Sequence, residues 1–531
     1  MPATPELITP RNNLRRYFGR PEWRNSTRTV KLHPLAYYEP GDLRAMEACV
    51  AKAIKEKLHV RAVGAGHSFS DAPFTEDILV GTSKLTGAER YKHGADPNLV
   101  EVGAGITVRA LNKELDKLKL SIRAMGGFDE QTIAGAILTG THGSSLTFGA
   151  ISQMVKSVVL VTNDLDAPGS VRSYRIEPRG GVSHPLTYPK DQPTLIQDDD
   201  VFHSVVVSFG AMGLVHSLVL QVEPTYYLDE KRVATDWPQV KQQLRNGLLS
   251  RGDSVFVQIN PYVKDGAPED ALIMTHRRLN ARELGIWERS KQDLFWILQS
   301  LASSMRSPLL LVAGHFRITY WWLVYRINRR NADIGRTMRS AIRAQRDRSY
   351  TNKAHRVMFQ GAAYMKKRAY DSECALPLAD LDRTIAVLDE LLVHLRKLND
   401  TYGSHLSAPV GLRFVKASPL YLTPEHGRDV CYVDCPVLKH AYGHNNIVGR
   451  LQHFWREKQA VPHWGKRNEL FTSEDTVRNY PLFGRWLLQH QRFNANGIFS
   501  NAFTRRVVEG VDAVADPARS GQVAAEGPPG A

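Results

Sequence analysis

Arg61-Ala62-Val63-Gly64-Ala65-Gly66-His67-Ser68-Phe69-Ser70 is the stretch on which the reading of this chain turns. A short run with strand character, His59–Val63, feeds directly into two glycines separated by one alanine. Bare backbone of this kind approaches a phosphate closely and points N–H groups at it. The Rossmann fingerprint is absent: no third glycine stands at the required spacing, and no acidic residue follows where a ribose would need one. His67 and Ser68, with Asp71 just beyond, make the turn more specific than two glycines alone.

Two further small-residue turns follow. Gly126–Ser144 reads GGFDEQTIAGAILTGTHGS and ends in Thr139-Gly140-Thr141-His142-Gly143-Ser144. It offers consecutive amides and hydroxyls to an anionic, planar ligand; a small-residue strand packed on a helix is the alternative. Ser208–Leu214, SFGAMGL, carries Gly210 and Gly213 into the apolar run Leu214–Val222. Three such turns suit a long cofactor threaded between elements.

Around these turns the first half alternates short strands and helices. Asp42–Lys57 opens with a capping Asp and sets Met46, Val50 and Ile54 at helical spacing. Leu99–Val102 reads as a strand, and Val108–Leu118 as a helix with Leu111, Leu115 and Leu118 on one stripe. Val155–Thr162 and Leu214–Val222 are β-branched runs suited to buried strands. The polar, Pro/Gly-rich stretch Asp164–Asp200 reads as a surface insertion. In the second half, Trp287–Met305 and Leu378–Leu395 carry helical periodicity. The expected partition is a basic leader at 1–30, a cofactor domain at 31–224, a substrate domain at 225–508 and a disordered Gly/Pro/Ala-rich tail at 509–531. The fold class is α+β.

Composition narrows the function. The chain has 531 residues, 43% hydrophobic and 23% charged, which is ordinary globular usage with length for at least one large core. Its four cysteines exclude a disulfide-stapled scaffold and fit a reduced, cytoplasmic setting. Cys431 and Cys435 lack zinc spacing and read as buried thiols, so no metal is expected. The net charge of +15, from 69 Lys+Arg against 54 Asp+Glu, draws anions. No zinc finger, RRM signature or basic zipper is present, so nucleic acid is not an expected partner. The first residues lack the apolar core of a signal peptide. The most apolar stretch, Pro308–Tyr325, holds His315 and Arg317, which argues against a membrane span. Its aromatic part, Phe316–Tyr325, leaves core packing, an apolar lid and peripheral membrane contact open.

In order and content, RAVGAGHSFS, AGAILTGTHGS and SFGAMGLVHSLVLQVEP resemble the FAD-binding domain of the vanillyl-alcohol oxidase type. The distal half adds ECALP (Glu373–Pro377), VGLRF (Val410–Phe414), LTPEHGRD (Leu422–Asp429), PHWGK (Pro462–Lys466) and GIFSN (Gly497–Asn501). These resemble the aldonolactone oxidase branch, which includes gulonolactone, arabinonolactone and alditol oxidases; type II cholesterol oxidases share the layout. The resemblance runs from Leu32 to Val508 and implies an N-terminal FAD domain followed by a cap domain whose sheet covers the flavin.

Residue by residue, the resemblance implies a bond from His67 to the flavin 8α-methyl, with turn capping beside a noncovalent FAD as the alternative. Gly64, Ala65, Gly66 and Ser68 would line the pyrophosphate. Thr139, Gly140, His142, Gly143 and Ser144 would follow the ribityl chain and ring, and Gly213 with Val215 the adenosine end. Lys466 matches a lysine that stabilises negative charge at the reduced flavin. His463 matches too, as a structural or a catalytic imidazole.

One departure stands out. The family reads Glu-x-Arg where this chain has Gly411-Leu412-Arg413. In a strand Gly411 and Arg413 share a face, so Arg413 is kept and its carboxylate neighbour is lost. Asp434 stands where an alditol-oxidase-like pattern has His, with Tyr432 on the same face. Proton acceptance therefore falls to Asp434, Glu373 or His463, in that order. The expected function is oxidation of a sugar-derived alcohol or aldonolactone by FAD, with dioxygen reduced to hydrogen peroxide. Oxidation of a hydrophobic alcohol such as a sterol, a dehydrogenase with another acceptor, and a non-catalytic flavin-binding module are the alternatives.

Overall fold

Val60–Val63, the strand that enters the first glycine turn, pairs in parallel with Ile78–Gly81, which pairs in parallel with Ala36–Tyr38. The computed structural model describes residues 14–17, 20–263, 269–279, 283–284, 317–329, 333–343, 345–346, 348–360 and 368–510. The helix expected at Trp287–Met305, Phe316 and the tail beyond Gly510 lie outside them. Asp42 caps the helix Leu43–Glu56 by accepting from the Ala45 N–H (2.8 Å), and Met46, Cys49, Val50 and Ala53 form its buried stripe.

A six-stranded sheet lies beside this layer, in the order Thr194–Gln197, Val171–Glu177, Val155–Asn163, Leu214–Gln221, Leu99–Gly103, Ala88–Arg90. The stretch read as a surface insertion thus contributes two strands. Its Arg175 is buried and reaches Glu101 (2.8 Å), Ser157 (3.2 Å) and Tyr188 (3.0 Å). Tyr174 and Ile176 of the same strand enter the first core, while the polar residues between them are satisfied across the sheet, which is why the stretch reads as loop.

The expected leader is also structural. Leu14–Tyr17 and Arg20–Arg24 pair antiparallel, and Lys31–Leu32 completes a three-stranded sheet. Trp23 is buried, and Asn25 organises the turn after it by accepting from the N–H groups of Thr29 and Val30 while donating to Ser68 O (2.9 Å).

The second half is built on an eight-stranded sheet, in the order Arg348–Lys353, Tyr227–Thr235, Ala271–Leu279, Ser254–Ile259, Val410–Val415, Val430–Leu438, Ala369–Pro377, Val461–Pro462. The strands are antiparallel throughout. On one side lies the helix Leu381–Tyr402, capped by Asp380 and ended by Gly403 at φ 63°. Its Leu388, Leu391, Leu392 and Leu395 fill the second core, where truncating one Leu to Ala costs ~2–5 kcal/mol.

Packing divides the chain differently from the linear partition. Trp464, Tyr480, Trp486, Phe499 and Phe503 join Val50, Val100 and Val158 in the first core. The C-terminal segment from Val461 therefore returns to the cofactor side and brings its side chains under the glycine turns.

Candidate active site

The three glycine turns converge. Gly64, Ala65, Gly66, His67, Gly213 and Val215 line one deep groove together with Thr139 and Trp23. A second chamber, of about 240 Å³, shares His67, Ser68, Gln131 and Thr139 with that groove. The two form one continuous trench, with His67 at the junction.

Local packing explains the small residues. A Cβ on Gly64 would fall 1.9 Å from Thr132 Oγ1. Gly66, at φ 71°, would put one 2.9 Å from the Trp23 ring. Ser26 from the N-terminal segment donates its N–H to Gly66 O (2.7 Å), and its hydroxyl lies 3.1 Å from His67 Nδ1. Phe128 packs edge-on against the His67 ring at 4.6 Å.

Beneath the groove lies a residue to which the sequence alone gives no role. The Arg61 guanidinium is fully buried and donates to Gly210 O (2.9 Å), Phe499 O (2.8 Å), Ala72 O (2.6 Å) and Phe209 O (2.5 Å). Burial lowers its pKa to about 10. Its Nε has no hydrogen-bond partner. A cation under a floor of bare backbone amides fits an anionic pyrophosphate. The residues present thus fit an FAD: Gly64, Ala65, Gly66 and Ser68 on the floor, with His67 and Thr139 where the groove meets the chamber.

Gly140, Gly143 and Ser144 do not line the trench. Gly140 takes φ 70°, and a Cβ on Gly143 would meet Met125 O at 2.5 Å. Ser144 departs from the expected ligand-facing position because its hydroxyl is already engaged. It donates to Val255 O and accepts from the Phe414 N–H (2.9 Å), tying the turn to the large sheet.

The second chamber gathers His142, Glu373, Arg413, Asp434, His463 and Lys466 from five separate segments. Lys466 Nζ lies 2.5 Å from Asp371 Oδ2 and 3.0 Å from Glu373 Oε2. Burial would lower the lysine's pKa, but Asp371, Glu373 and Asp434 outweigh it and hold the ammonium charged. Burial would raise Glu373, yet Lys466 and His142 hold it well below the usual carboxylate range. Asp371 goes the other way: burial raises it well above that range despite Lys466, with Asp434 adding to the rise through charge and a hydrogen bond. Asp371 Oδ1 and Asp434 Oδ1 are buried without a hydrogen-bond partner. The three carboxylates lie within 4.8 Å of one another, and Lys466 supplies their counter-charge.

Two histidines complete the wall. His142 stacks on Tyr432 at 3.5 Å between ring centroids; its Nδ1 lies 3.0 Å from Gly143 O and its Nε2 3.3 Å from Glu373 Oε1. Tyr432 in turn donates to the buried Glu425 (2.6 Å), whose pKa is raised by burial. His463 Nδ1 accepts from the Gly465 N–H (2.9 Å), and burial pushes its pKa down to about 3, so the ring is neutral.

Strand register explains the chamber. Gly411 pairs with Asp434, Glu373 pairs with Asp434 from the other side, and Arg413 pairs with Tyr432. A Cβ on Gly411 would sit 3.5 Å from Asp434 Cβ. The carboxylate lost at 411 is thus matched by one directly across the ladder. Arg413 donates to Gln360 Oε1 (3.0 Å) and lies 4.4 Å over the Phe256 ring. Sequence reading missed Asp371 and Gln360. Asp371 carried a signal, standing two residues before Glu373 on the same strand face. Gln360 carried none, since only tertiary packing brings it to Arg413.

Comparison with known proteins agrees with this layout. Residues 34–164 match the FAD binding domain family, and residues 220–507 match the D-arabinono-1,4-lactone oxidase family. The L-gulono-1,4-lactone dehydrogenase of Mycobacterium tuberculosis is 25% identical over 495 residues, covering 92% of this chain and 99% of the relative. The L-gulonolactone oxidase of Bos taurus is 23% identical, covering 92% and 98%. Cholesterol oxidase from B. sterolicum superposes with a TM-score of 0.65 at 13% identity, over 95% of this chain and 99% of that one, a likeness of fold. The chain therefore belongs to the D-arabinono-1,4-lactone oxidase family and is a flavin oxidoreductase with an FAD-binding domain ahead of its family-defining domain.

Proposed function

We propose that this protein oxidises the CH–OH group of a sugar-derived lactone or alcohol, using an FAD bonded through His67 and dioxygen as the acceptor. The observation that carries the reading is the convergence of Arg413, Lys466 and the Asp371–Asp434 carboxyl pair in the chamber that begins at His67. Bound FAD supplies the hydride acceptor. In the overall balance CH–OH becomes C=O, the hydroxyl proton goes to a protein base, and two electrons and two protons leave as hydrogen peroxide. His67 would hold the group by a C–N bond in place of one imidazole N–H and one methyl C–H, the two electrons and two protons released passing to the same acceptor.

The chain's own groups divide the work. Lys466, held charged by its neighbours, stabilises negative charge as it builds beside the chamber. Arg413, seated on Phe256 and oriented by Gln360, donates to the substrate oxygen. Glu373 is engaged by Lys466 and His142 and too weak a base to take a proton. His463 has its Nδ1 lone pair occupied. Asp434 is left as the proton acceptor, its Oδ1 without a partner and its position facing the gap at Gly411. Asp371, whose carboxylate oxygen lies within 4.8 Å of that of Asp434, stands beside it and is itself tied to Lys466.

Three measurements test this. Acid precipitation should leave the flavin with the protein pellet; flavin in the supernatant removes the covalent link. Asp434→Asn should lower kcat by about 10²–10⁴ while the flavin stays bound; full activity would remove Asp434 from the role. Peroxide release across aldonolactones, alditols and sterols ranks the substrate classes. A dehydrogenase reading is favoured by the Mycobacterium tuberculosis relative's name, and slow reoxidation in air after anaerobic reduction would establish it.

A further inference from the structure

The large exposed aromatic side chains among the described residues are Trp321, Trp322, Tyr325, Tyr402 and Tyr442, at 42%, 44%, 67%, 43% and 64% exposure. Trp321, Trp322 and Tyr325 stand on one helix, opposite the side that carries Tyr320, Val324 and Ile327, and contacts tie that helix to the segments of Tyr442 and Tyr402. Trp321 lies 5.1 Å from the His440 ring. Asn328, just past the helix Arg317–Ile327, donates to His440 O (2.9 Å) and accepts from the Tyr442 N–H (2.8 Å). A Cβ on Gly403, next to Tyr402, would sit 3.5 Å from the Tyr442 ring. The inner side of the same helix sends Tyr320, Val324 and Ile327 into the second core. Among the described residues the outward rings take no part in that core.

Cations are interleaved with the rings. Arg326 lies over Trp322 at 5.3 Å, and Arg450 over Tyr402 at 4.0 Å. Lys439 donates only to the carbonyls of Thr27 and Arg28. None of the three has a carboxylate partner among the described residues. Elsewhere the surface arginines Arg339, Arg343 and Arg346 are paired with Asp270 and Glu269.

Tryptophan and tyrosine combine an apolar body with a polar edge, which suits the headgroup layer of a membrane better than a dry protein core. Unpaired cations among them suit anionic headgroups, and the net charge of +15 adds long-range attraction. No helix among the described residues is long and apolar enough to cross a membrane. We infer that this aromatic and basic face seats the protein on an anionic lipid surface. The inference goes beyond the reaction and does not depend on the substrate. Lys439 and His444 also line a side cavity of about 550 Å³ that shares Phe69 and Tyr370 with the catalytic chamber, so the seated face adjoins that chamber.

The test is sedimentation of the holoprotein with vesicles, one set of phosphatidylcholine alone and one with phosphatidylserine added. Binding should need the anionic lipid and fall with salt. Arg326→Gln with Arg450→Gln should weaken it about 25-fold, at about fivefold per cation. Trp322→Ser with Tyr325→Ser should weaken binding and reduce the blue shift of tryptophan emission, with Trp321 left as the remaining reporter. Both variants should keep their flavin absorbance and their turnover with a soluble acceptor, which separates lost docking from lost folding. Equal binding by wild type and both variants, or no binding by any, would overturn the inference. So would light scattering that shows a dimer disrupted by the aromatic substitutions with vesicle binding unchanged, since the face would then seat a second copy.

Discussion

Replacing Lys466 by Met tests the electrostatic core of the chamber. The ammonium lies 2.5 Å from Asp371 and 3.0 Å from Glu373, and both carboxyl groups are buried. Methionine keeps most of the volume and removes the charge. Breaking a buried pair by deleting one partner costs about 3–5 kcal/mol, because the remaining charge is uncompensated. The carboxyl groups can escape that cost by binding protons, so the loss must depend on pH. In the wild type Glu373 has a lowered folded pKa. Its stabilisation is present above the unfolded value of about 4.3 and is lost only as pH falls through the lower folded value. In Lys466→Met the folded value of Glu373 rises above the unfolded one, and that of Asp371, already raised in the wild type, rises further. The native state then binds more protons than the unfolded chain, and stability falls as pH rises, by up to ~1.4 kcal/mol per pH unit for each proton. Lys466's own raised value leaves its contribution constant in this window. Urea unfolding followed by tryptophan fluorescence, with buried Trp464 close by as a reporter, should show a deficit of ~3–5 kcal/mol near pH 8 that shrinks towards pH 5. A deficit equal at both pH values, or below ~1 kcal/mol, would refute the coupling.

The remaining predictions concern the trench. Gly66→Ala forces a left-handed backbone at ~1–2 kcal/mol and drives a methyl into Trp23; the flavin-to-protein absorbance ratio should fall, and an unchanged ratio would count against the groove. Arg61→Met leaves three buried carbonyls and the half-buried Gly210 O without their donor and should cost ~3–5 kcal/mol of stability in a denaturation curve. Ser144→Ala strands Val255 O and the Phe414 N–H and should lower stability by ~1–3 kcal/mol, with flavin content unchanged because the hydroxyl faces the sheet.

Legibility followed locality. Glycine turns, helix stripes and β-branched runs are local signals, and the elements at Leu43–Glu56, Val108–Lys117, Val155–Asn163 and Leu214–Gln221 lie within a residue or two of where periodicity set them. The strands Val171–Glu177 and Thr194–Gln197 were illegible because polar residues partnered from other strands interrupt the apolar pattern of the first, and the second is a short, half-exposed edge strand. The N-terminal sheet was illegible because its strands are short and Trp23 finds its burial only in tertiary contacts, against Tyr37, Val63, Leu79 and the Gly66 turn.

By itself the order of residues determined the chemistry on offer: a histidine after two glycines, an arginine with no carboxylate two positions before it, and a lysine after a buried tryptophan. It determined as well that Asp371, Glu373 and Asp434 alternate with apolar or small neighbours along strands. Only the tertiary structure decided that Asp434 lies across the ladder from Gly411, that Lys466 sits between Asp371 and Glu373, and that the C-terminal segment returns to the first core. The physical reason is that charge interactions depend on distance and burial. Both are set by strand register and by which faces pack, and neither is a function of separation along the chain.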